Sequence, residues 1–145
     1  MKVEFRSFNG AEDWAWCNKH VGIIQTSDTS GIMAVDTEKK EIVAAALMDN
    51  WTTNSAQCHF IITNPMVLRH KFLECVSNFL FIEKGLAVIY GFIPGDNKKA
   101  VRLNKHMGFT VKATLEDGFA VGVDYIFMEG KRENCRYIDK AARDG

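Results

Sequence analysis

The chain has 145 residues, of which 47% are hydrophobic and 25% charged, and its 18 basic and 18 acidic side chains cancel. This composition is typical of a soluble globular protein and excludes wholesale disorder. The balanced bulk charge gives no signal for a nucleic-acid partner or an anionic membrane, with a local charged patch left open, and no stretch approaches the roughly 18 apolar residues of a membrane span. The length predicts one domain over residues 1–145.

The cysteines are scattered, without a Cys-x-x-Cys pair, at positions Cys17, Cys58, Cys75 and Cys135. This spacing favours reduced thiols over a disulfide framework or a zinc site, so no bound metal is predicted. The N-terminal segment Lys2–Phe8 alternates polar and apolar residues like a strand and has no signal-peptide core. A cytoplasmic location follows as an expectation.

The first half of the chain predicts four strands and one helix. Trp14 and Trp16 give the helix a heavy aromatic content, and the polar run 36–40 is typical of a hairpin turn. The predicted strands are Lys2–Phe8, Ile32–Val35, Glu41–Met48 and Gln57–Thr63, and the helix is Ala11–His20.

The longest helical pattern covers Pro65–Lys84. Proline suits a first helical turn because its missing N–H would have no partner there, and Gly85 ends the pattern. Two apolar stripes give this segment a wide hydrophobic surface. We therefore predict one continuous helix that packs against a sheet and is covered by another part of the protein.

Residues 85–109 are the most informative stretch. Leu86–Ile93 is apolar and rich in β-branched and aromatic residues, as in a buried strand. Asp96 is suited to capping a helix over Asn97–Met107. Gly108 can take the left-handed conformation that ends a helix, and Phe109 can pack back on its last turn.

The remaining residues predict a final hairpin. Phe109–Leu115 and Phe119–Met128 pair across a turn at residues 116–118, and the tail Lys131–Gly145 is compatible with a helix. The complete order is β-α-β-β-β-α-β-α-β-β. It predicts an α/β fold with a mixed, mostly antiparallel central sheet flanked by helices.

The spacing Asn97-x-x-Ala100-x-x-Leu103-x-x-x-x-Gly108-Phe109, together with this order, resembles the GNAT N-acetyltransferase superfamily, most closely its small divergent phage and bacterial members. The resemblance implies that acetyl-CoA is the co-substrate, bound in a V-shaped gap between the fourth and fifth strands, where an amine attacks the thioester. It also implies cofactor contacts at Ile61, Ile62, Thr63, Arg69, His70, Lys71, Asn97 and Phe109. We expect the sheet to splay between Gln57–Thr63 and Leu86–Ile93.

The sequence departs from this family at the pyrophosphate site. The family uses an Arg/Gln-x-x-Gly-x-Gly/Ala loop, because glycines let backbone N–H groups approach the phosphates. Residues 63–72 contain no glycine. Arg69, His70 and Lys71 would supply side-chain charge instead; the alternative is that they form the solvated face of a helix.

A second departure concerns proton transfer. Many family members carry a tyrosine acid at the position that matches Asn104, and asparagine cannot protonate a thiolate, although it can hydrogen-bond the sulfur or the pantetheine arm. His59 on the fourth strand is the candidate general base, and a histidine bonded within the sheet is the alternative. Cys58 is its neighbour on a strand, so their side chains should point to opposite faces.

Two functions remain open. The first is an acyl-CoA-dependent N-acetyltransferase acting on an amine of a small molecule or a protein, in the cytoplasm, which is the host's if the gene is phage-borne. The second is a catalytically inactive GNAT-fold protein that serves in binding or in a phage virion, as the missing glycines and tyrosine would favour. The oligomeric state is left open, a homodimer included.

Overall fold

A seven-stranded sheet in the order β1-β2-β3-β4-β5-β7-β6 organises the chain. The structure is a computed structural model and describes residues 1–144. The strands are β1 Val3–Ser7, β2 Ser30–Asp36, β3 Glu41–Asp49, β4 Ser55–Ile62, β5 Val88–Pro94, β6 Thr110–Ala120 and β7 Val123–Lys131. Only β4 and β5 pair in parallel, and the other neighbours are antiparallel. The predicted mixed, mostly antiparallel sheet is confirmed.

Helices cover both faces of this sheet. They are α1 Gly10–Asn18, α2 Phe72–Ser77, α3 Lys98–His106 and α4 Lys140–Asp144. Cys17 of α1 packs on Met33, Leu47 and Ile61, which defines the α1 face of the sheet. The larger core lies on the opposite face, the α2–α3 face, and includes Phe72. None of the helices within residues 1–144 is long and apolar enough to cross a membrane.

The predicted continuous helix over Pro65–Lys84 is wrong. Residues Pro65–His70 form a 3₁₀ helix, Lys71 is left-handed with φ 65°, and α2 then leads into a π-helical segment over Asn78–Glu83. Val67 and Phe72 are both fully buried in the main core. Residues five apart on an α-helix lie about 140° apart, so a continuous helix could not bury both against one core.

The predicted turn at residues 116–118 is also wrong. Strand β6 continues to Ala120, and the chain turns at Val121 and Gly122 instead. Asp117, with φ 54°, lies in an irregular part of the ladder, and its side chain accepts a hydrogen bond from the Gly122 amide at 2.8 Å. The Asp-Gly step therefore makes a bulge that lengthens the hairpin.

The C-terminal tail is helical only in part. Arg132–Asn134 forms a 3₁₀ turn and α4 spans five residues, whereas Gly145 lies outside the described residues. Ile138, between these two elements, is buried in the main core. The tail is therefore anchored by packing on the α2–α3 face.

An ion pair ties β1 to α1. Arg6 donates to both carboxylate oxygens of Asp13 at 2.7 Å, and the Asn9 amide adds a bond of 2.8 Å to the same side chain. Asp13 is 1% exposed. The hydrogen bond from Arg6 is the main cause of a lowered pKa for Asp13, and burial opposes it.

We expect Asp13→Asn to lower the free energy of unfolding by about 2 kcal/mol at pH 7, because a neutral amide cannot replace two charge-assisted bonds. Since the pKa of Asp13 is lowered in the folded state, its stabilisation is present above the unfolded pKa of about 3.9 and is lost as pH falls through the lower folded value. Urea unfolding at a series of pH values measures both effects. Glu12→Gln, on an exposed position of the same helix, is the control; equal stability of Asp13→Asn and wild type would contradict the prediction.

Candidate active site

The sheet opens between its two parallel strands. Strands β4 and β5 pair only at Ser55–Val88, Ala56–Ile89 and Gln57–Tyr90, although β4 continues to Ile62 and β5 to Pro94. The predicted splay is confirmed. Because each strand is followed by helical structure on the same face, the gap opens toward the starts of both helical segments. Ligands commonly bind in such a crevice at the carboxyl ends of parallel strands.

A glycine lies at the narrow end of this gap. Gly91 is the first residue of β5 beyond the last pair, and a Cβ atom there would lie 3.0 Å from the Cys58 carbonyl oxygen. This is tighter than an ordinary van der Waals contact, so glycine allows the two backbones to stay close where the ladder ends. The strands therefore diverge from a defined point.

His59 lies on β4 just beyond that point and is paired with a carboxylate. Its Nε2 atom is 3.2 Å from Oδ1 and 3.3 Å from Oδ2 of Asp49, at the end of the neighbouring strand. The two side chains are only 12% and 13% exposed. His59 lies two residues before Ile61, which packs under α1, so its ring is on the α1 face of the sheet. The geometry suits a histidine that accepts a proton while a carboxylate orients its ring.

Asp49 was not a candidate from the sequence. It is the last residue of β3, where it pairs with Gln57, and His59 pairs with Leu47. The pairing of histidine with aspartate is therefore a diagonal contact between two strands. No local sequence signal marks it, because it depends on the register of β3 against β4.

The adjacent thiol plays no part in this pair. Cys58 is buried on the α2–α3 face, opposite His59, as predicted. Burial is the main cause of a raised pKa for its thiol, which keeps the sulfur protonated. Within the described residues, no cluster of three or more His, Cys, Asp or Glu side chains could hold a metal ion.

The end of β4 borders the gap with its backbone. Ile61 pairs with Ala45 and Ile62 with Ala44 on the β3 side, while the β5 side of both residues has no ladder partner in the described chain. Thr63 is turned away, since its amide and its hydroxyl both donate to the Val43 carbonyl at 3.0 Å. Hydrogen-bonded and non-hydrogen-bonded residues alternate along an antiparallel pair, and Thr63 bonds toward β3, so Ile62 rather than Ile61 directs its main-chain polar groups to the gap.

Basic side chains follow β4 in the segment that leads into α2. Arg69 and Lys71 are exposed and His70 is half-buried, just before α2. Lys71 adopts the left-handed conformation usually reserved for glycine, so the backbone turns here without one. None of the three side chains has an ion-pair partner within residues 1–144.

A second basic group was missed from the sequence. Lys98, Lys99 and Arg102 occupy the first turns of α3 and are exposed. Since α3 follows β5, these residues lie at the same edge of the sheet as the basic group before α2. The sequence does show a Lys98-Lys99 pair beside Asn97, but nothing in it places these lysines near Arg69 and Lys71. Only the parallel arrangement of β4 and β5 brings the two basic groups to one edge of the sheet.

The candidates of the α3 segment are all engaged in structure. Asn97, rather than Asp96, caps α3, and its side chain accepts from the Ala100 amide at 3.2 Å. Asn104 is buried, and its Nδ2 donates to the Ala100 carbonyl at 2.8 Å. Phe109 is buried against Gly130, where an added Cβ would lie 2.6 Å from the phenylalanine ring. Helix capping and core packing thus account for the observed contacts of these side chains.

Several solved structures share this architecture. A spermidine/spermine N-acetyltransferase SpeG from Vibrio cholerae superposes with a TM-score of 0.72 at 14% identity, covering 89% of this chain and 92% of that one. The same organism's spermidine N-acetyltransferase in complex with CoA and spermine gives 0.74 at 14% identity, with 94% and 98% coverage. A SpeG variant gives 0.75 at 16% identity, with 95% and 99% coverage. The fold is that of the GNAT acetyltransferases.

The GNAT fold was predicted from the element order and the Asn97-to-Phe109 spacing, and both are present in the structure. No protein-family model and no curated protein matches the sequence. At 14–16% identity the likeness to the solved structures concerns the fold. The features of this chain that bear on its chemistry are its own strand gap, its His59–Asp49 pair and its basic edge, which comprises Arg69, Lys71, Lys98 and Lys99.

Proposed function

We propose that this protein is an acyl-CoA-dependent N-acetyltransferase that transfers an acetyl group to an amine. The observation that carries the proposal is the strand gap, with the His59–Asp49 pair on one side and basic side chains at its open end. A GNAT-fold neighbour that binds CoA and spermine supports both the co-substrate and a small-molecule amine as its partner.

The residues around the gap fit acetyl-CoA. Its phosphates are polyanionic, and Arg69, Lys71, Lys98 and Lys99 place exposed positive charge on both helical segments that follow the gap. The backbone of β4 beyond Gln57 offers unpaired polar groups to an extended pantetheine arm. When bound, acetyl-CoA supplies a thioester carbonyl carbon that an amine can attack.

His59 is the proposed base of the reaction. It accepts the proton that the amine loses as its nitrogen bonds to the acetyl carbon, and Asp49 holds the imidazole ring in position and stabilises the imidazolium that results. The other nitrogen of the ring remains available for the amine. The gap and the basic edge supply positioning, which by itself removes much of the entropic barrier.

Loss of a charged contact should weaken acetyl-CoA binding. We expect Arg69→Ala to raise the dissociation constant at least about tenfold, because without a glycine loop the charge-assisted bonds must provide the phosphate affinity. Isothermal titration calorimetry measures the effect. Lys105→Ala, an exposed residue in the last turn of α3, is the control. Equal affinity of Arg69→Ala and wild type for acetyl-CoA would show that Arg69 does not contribute to binding. No binding by either protein would contradict the proposed function.

Asn104 is proposed to act at most as a hydrogen-bond donor to the leaving sulfur, without donating a proton. Since no strong general acid assists departure of the thiolate, we expect slow turnover, and Asn104→Ala should change kcat by less than about tenfold. The same variant should lose about 1 kcal/mol of stability with the bond to Ala100. Release of free CoA measures the rate; fast wild-type turnover that collapses in Asn104→Ala would show that Asn104 has a larger role in the reaction than proposed.

The second candidate function is a binding protein without catalysis, including a virion-associated one. The absence of glycine in residues 63–72 and of tyrosine at position 104 favours it. The two functions differ in one measurement. A protein that binds acetyl-CoA but releases no free CoA with a panel of amines belongs to the binding class.

A further inference from the structure

Aromatic rings form a continuous surface on the α1 face of β5 and β7. Phe92 and Phe127 pair across the two strands and stack with centroids 4.8 Å apart and planes 19° from parallel. Tyr125 lies 5.1 Å from Phe92, and Tyr90 lies 5.7 Å from Phe127. We call Tyr90, Phe92, Tyr125 and Phe127 the ring platform; all are half-buried.

The sheet register places this platform on the same face as His59, on the other side of the strand gap. Gln57 pairs with Tyr90, so His59 and Phe92, each two residues further along, stay on the same face as their strands diverge. Phe127 continues that row on the next strand. An amine that reaches His59 from the α1 face therefore has its remaining atoms directed over the rings.

No helix covers the platform among the described residues. The cluster beneath α1 contains residues of β2, β3 and β4 and none of β5, β6 or β7. The polar group at the near rim is the Asn50 side chain, which donates to the Tyr90 hydroxyl at 2.5 Å. The platform is thus open on the side from which an acceptor must approach the gap.

Two carboxylates on the platform's face of the sheet have cationic partners. Asp49 is engaged with His59, and Glu129, which pairs with Tyr90 in the ladder, lies 3.9 Å from Lys112. A substrate with a second ammonium group would have to compete for these carboxylates. Flat apolar groups meet no such competition, and aromatic pairs gain from stacked or edge contacts beyond the area that they bury.

Resting on the proposed acetyltransferase function, we propose that the ring platform binds the acceptor, a primary amine linked by a short alkyl chain to a planar aromatic group. The amine nitrogen lies at His59 and the aromatic group lies on Phe92 and Phe127. This assigns a substrate class to the site and a role in specificity to side chains outside the acetyl-CoA gap.

The test compares two amines of similar size and basicity, 2-phenylethylamine and 2-cyclohexylethylamine, by NMR titration without acetyl-CoA. We expect the aromatic amine to bind about three- to tenfold more tightly. Phe127→Leu keeps an apolar side chain but removes the ring, so it should abolish most of that preference. Phe79→Leu removes a half-buried ring that packs on the main core at the opposite, α2–α3 face of the sheet, so it is the matched control and should retain the preference.

The outcomes separate this inference from the proposed function. Aromatic preference that is lost in Phe127→Leu, with no acetyl transfer to any amine, would support the platform and contradict the enzyme. Acetyl transfer with equal affinity for both amines, or tighter binding of spermine that is insensitive to Phe127→Leu, would overturn the platform. So would a dimer in sedimentation velocity that Phe127→Leu dissociates without changing amine affinity, since the rings would then be an interface between two copies. Thermal melting of each variant checks that it is folded.

Discussion

Replacing His59 by glutamine is expected to lower kcat for acetyl transfer by about 10²–10⁴, the usual contribution of a positioned general base. Glutamine can keep a hydrogen bond to Asp49 but cannot accept the proton of the attacking amine. Acetyl-CoA affinity should stay within about twofold of wild type, because the basic edge is untouched. Steady-state release of CoA and calorimetry measure the two quantities.

The control for this loss is His106→Gln, a substitution of the same kind at an exposed position late in α3. It should leave kcat unchanged. A His59→Gln protein with wild-type turnover would show that the histidine is a structural residue of the sheet. An equal loss in both variants would indicate damage to the fold rather than to the chemistry.

Asp49 enters this prediction as a positioning residue. Asp49→Asn should reduce kcat by at least about tenfold with little change in KM for the amine. Without the carboxylate, the His59 ring is no longer held in orientation, and the imidazolium that forms has no counter-charge. Asp49→Glu, which restores the carboxylate, should recover part of the rate. A residue needed only for folding would change stability in Asp49→Asn and would not show this split between kcat and KM.

Gly31→Ala is expected to cause a large loss of stability, at least about 3 kcal/mol. Gly31 pairs with Leu47 in the ladder, and a Cβ atom added there would lie 2.1 Å from the Ala46 carbonyl oxygen. The oxygen belongs to the backbone of β3, so no side-chain rotation can relieve the clash. Strand β2 would have to move from β3, which carries Asp49.

Thermal unfolding measures this effect, and a drop of about 10 °C or more in Tm is the expected result for a domain of this size. Gly22→Ala is the matched control, because nothing lies within 4 Å of a Cβ atom at that position. Its Tm should stay within a few degrees of wild type. A Gly31→Ala protein as stable as the control would mean that the two strands can separate at little cost.

Periodicity and end signals in the sequence were sufficient for most elements. The strand, the helix and the Gly108-Phe109 step of residues 85–109 form close to the predicted bounds, because a buried β-branched run and a helix-ending glycine each act within a few residues. The cap was assigned one residue too early, to Asp96 instead of Asn97. Periodicity gave the wrong prediction for Pro65–Lys84, which is not one continuous helix. There the need to bury both Val67 and Phe72 outweighed the helical preference of the segment.

Local sequence signals likewise predicted only some residues of the candidate site. His59 and Arg69 could be named because their residue types carry chemistry and their positions follow from the order of elements. Asp49 and the basic residues Lys98, Lys99 and Arg102 could not be named from the sequence. Each is part of the candidate site only because β4 pairs with β3 and with β5, which local sequence patterns do not reveal. Asn104 was a candidate from the sequence, but in the structure its side chain donates a hydrogen bond to the Ala100 carbonyl of its own helix.

What the sequence by itself determined is therefore the order of elements, which follows from local patterns of hydrophobicity and turn residues. The fold and the general place of the strand gap were expected from the family resemblance that this order and the Asn97-to-Phe109 spacing carry. Only the tertiary structure decided what surrounds the gap. The register of β3 against β4 brings Asp49 to His59, and the cross-strand pairing of β5 with β7 assembles the ring platform. Side chains on different strands meet through backbone pairing over long separations, which no local sequence pattern encodes.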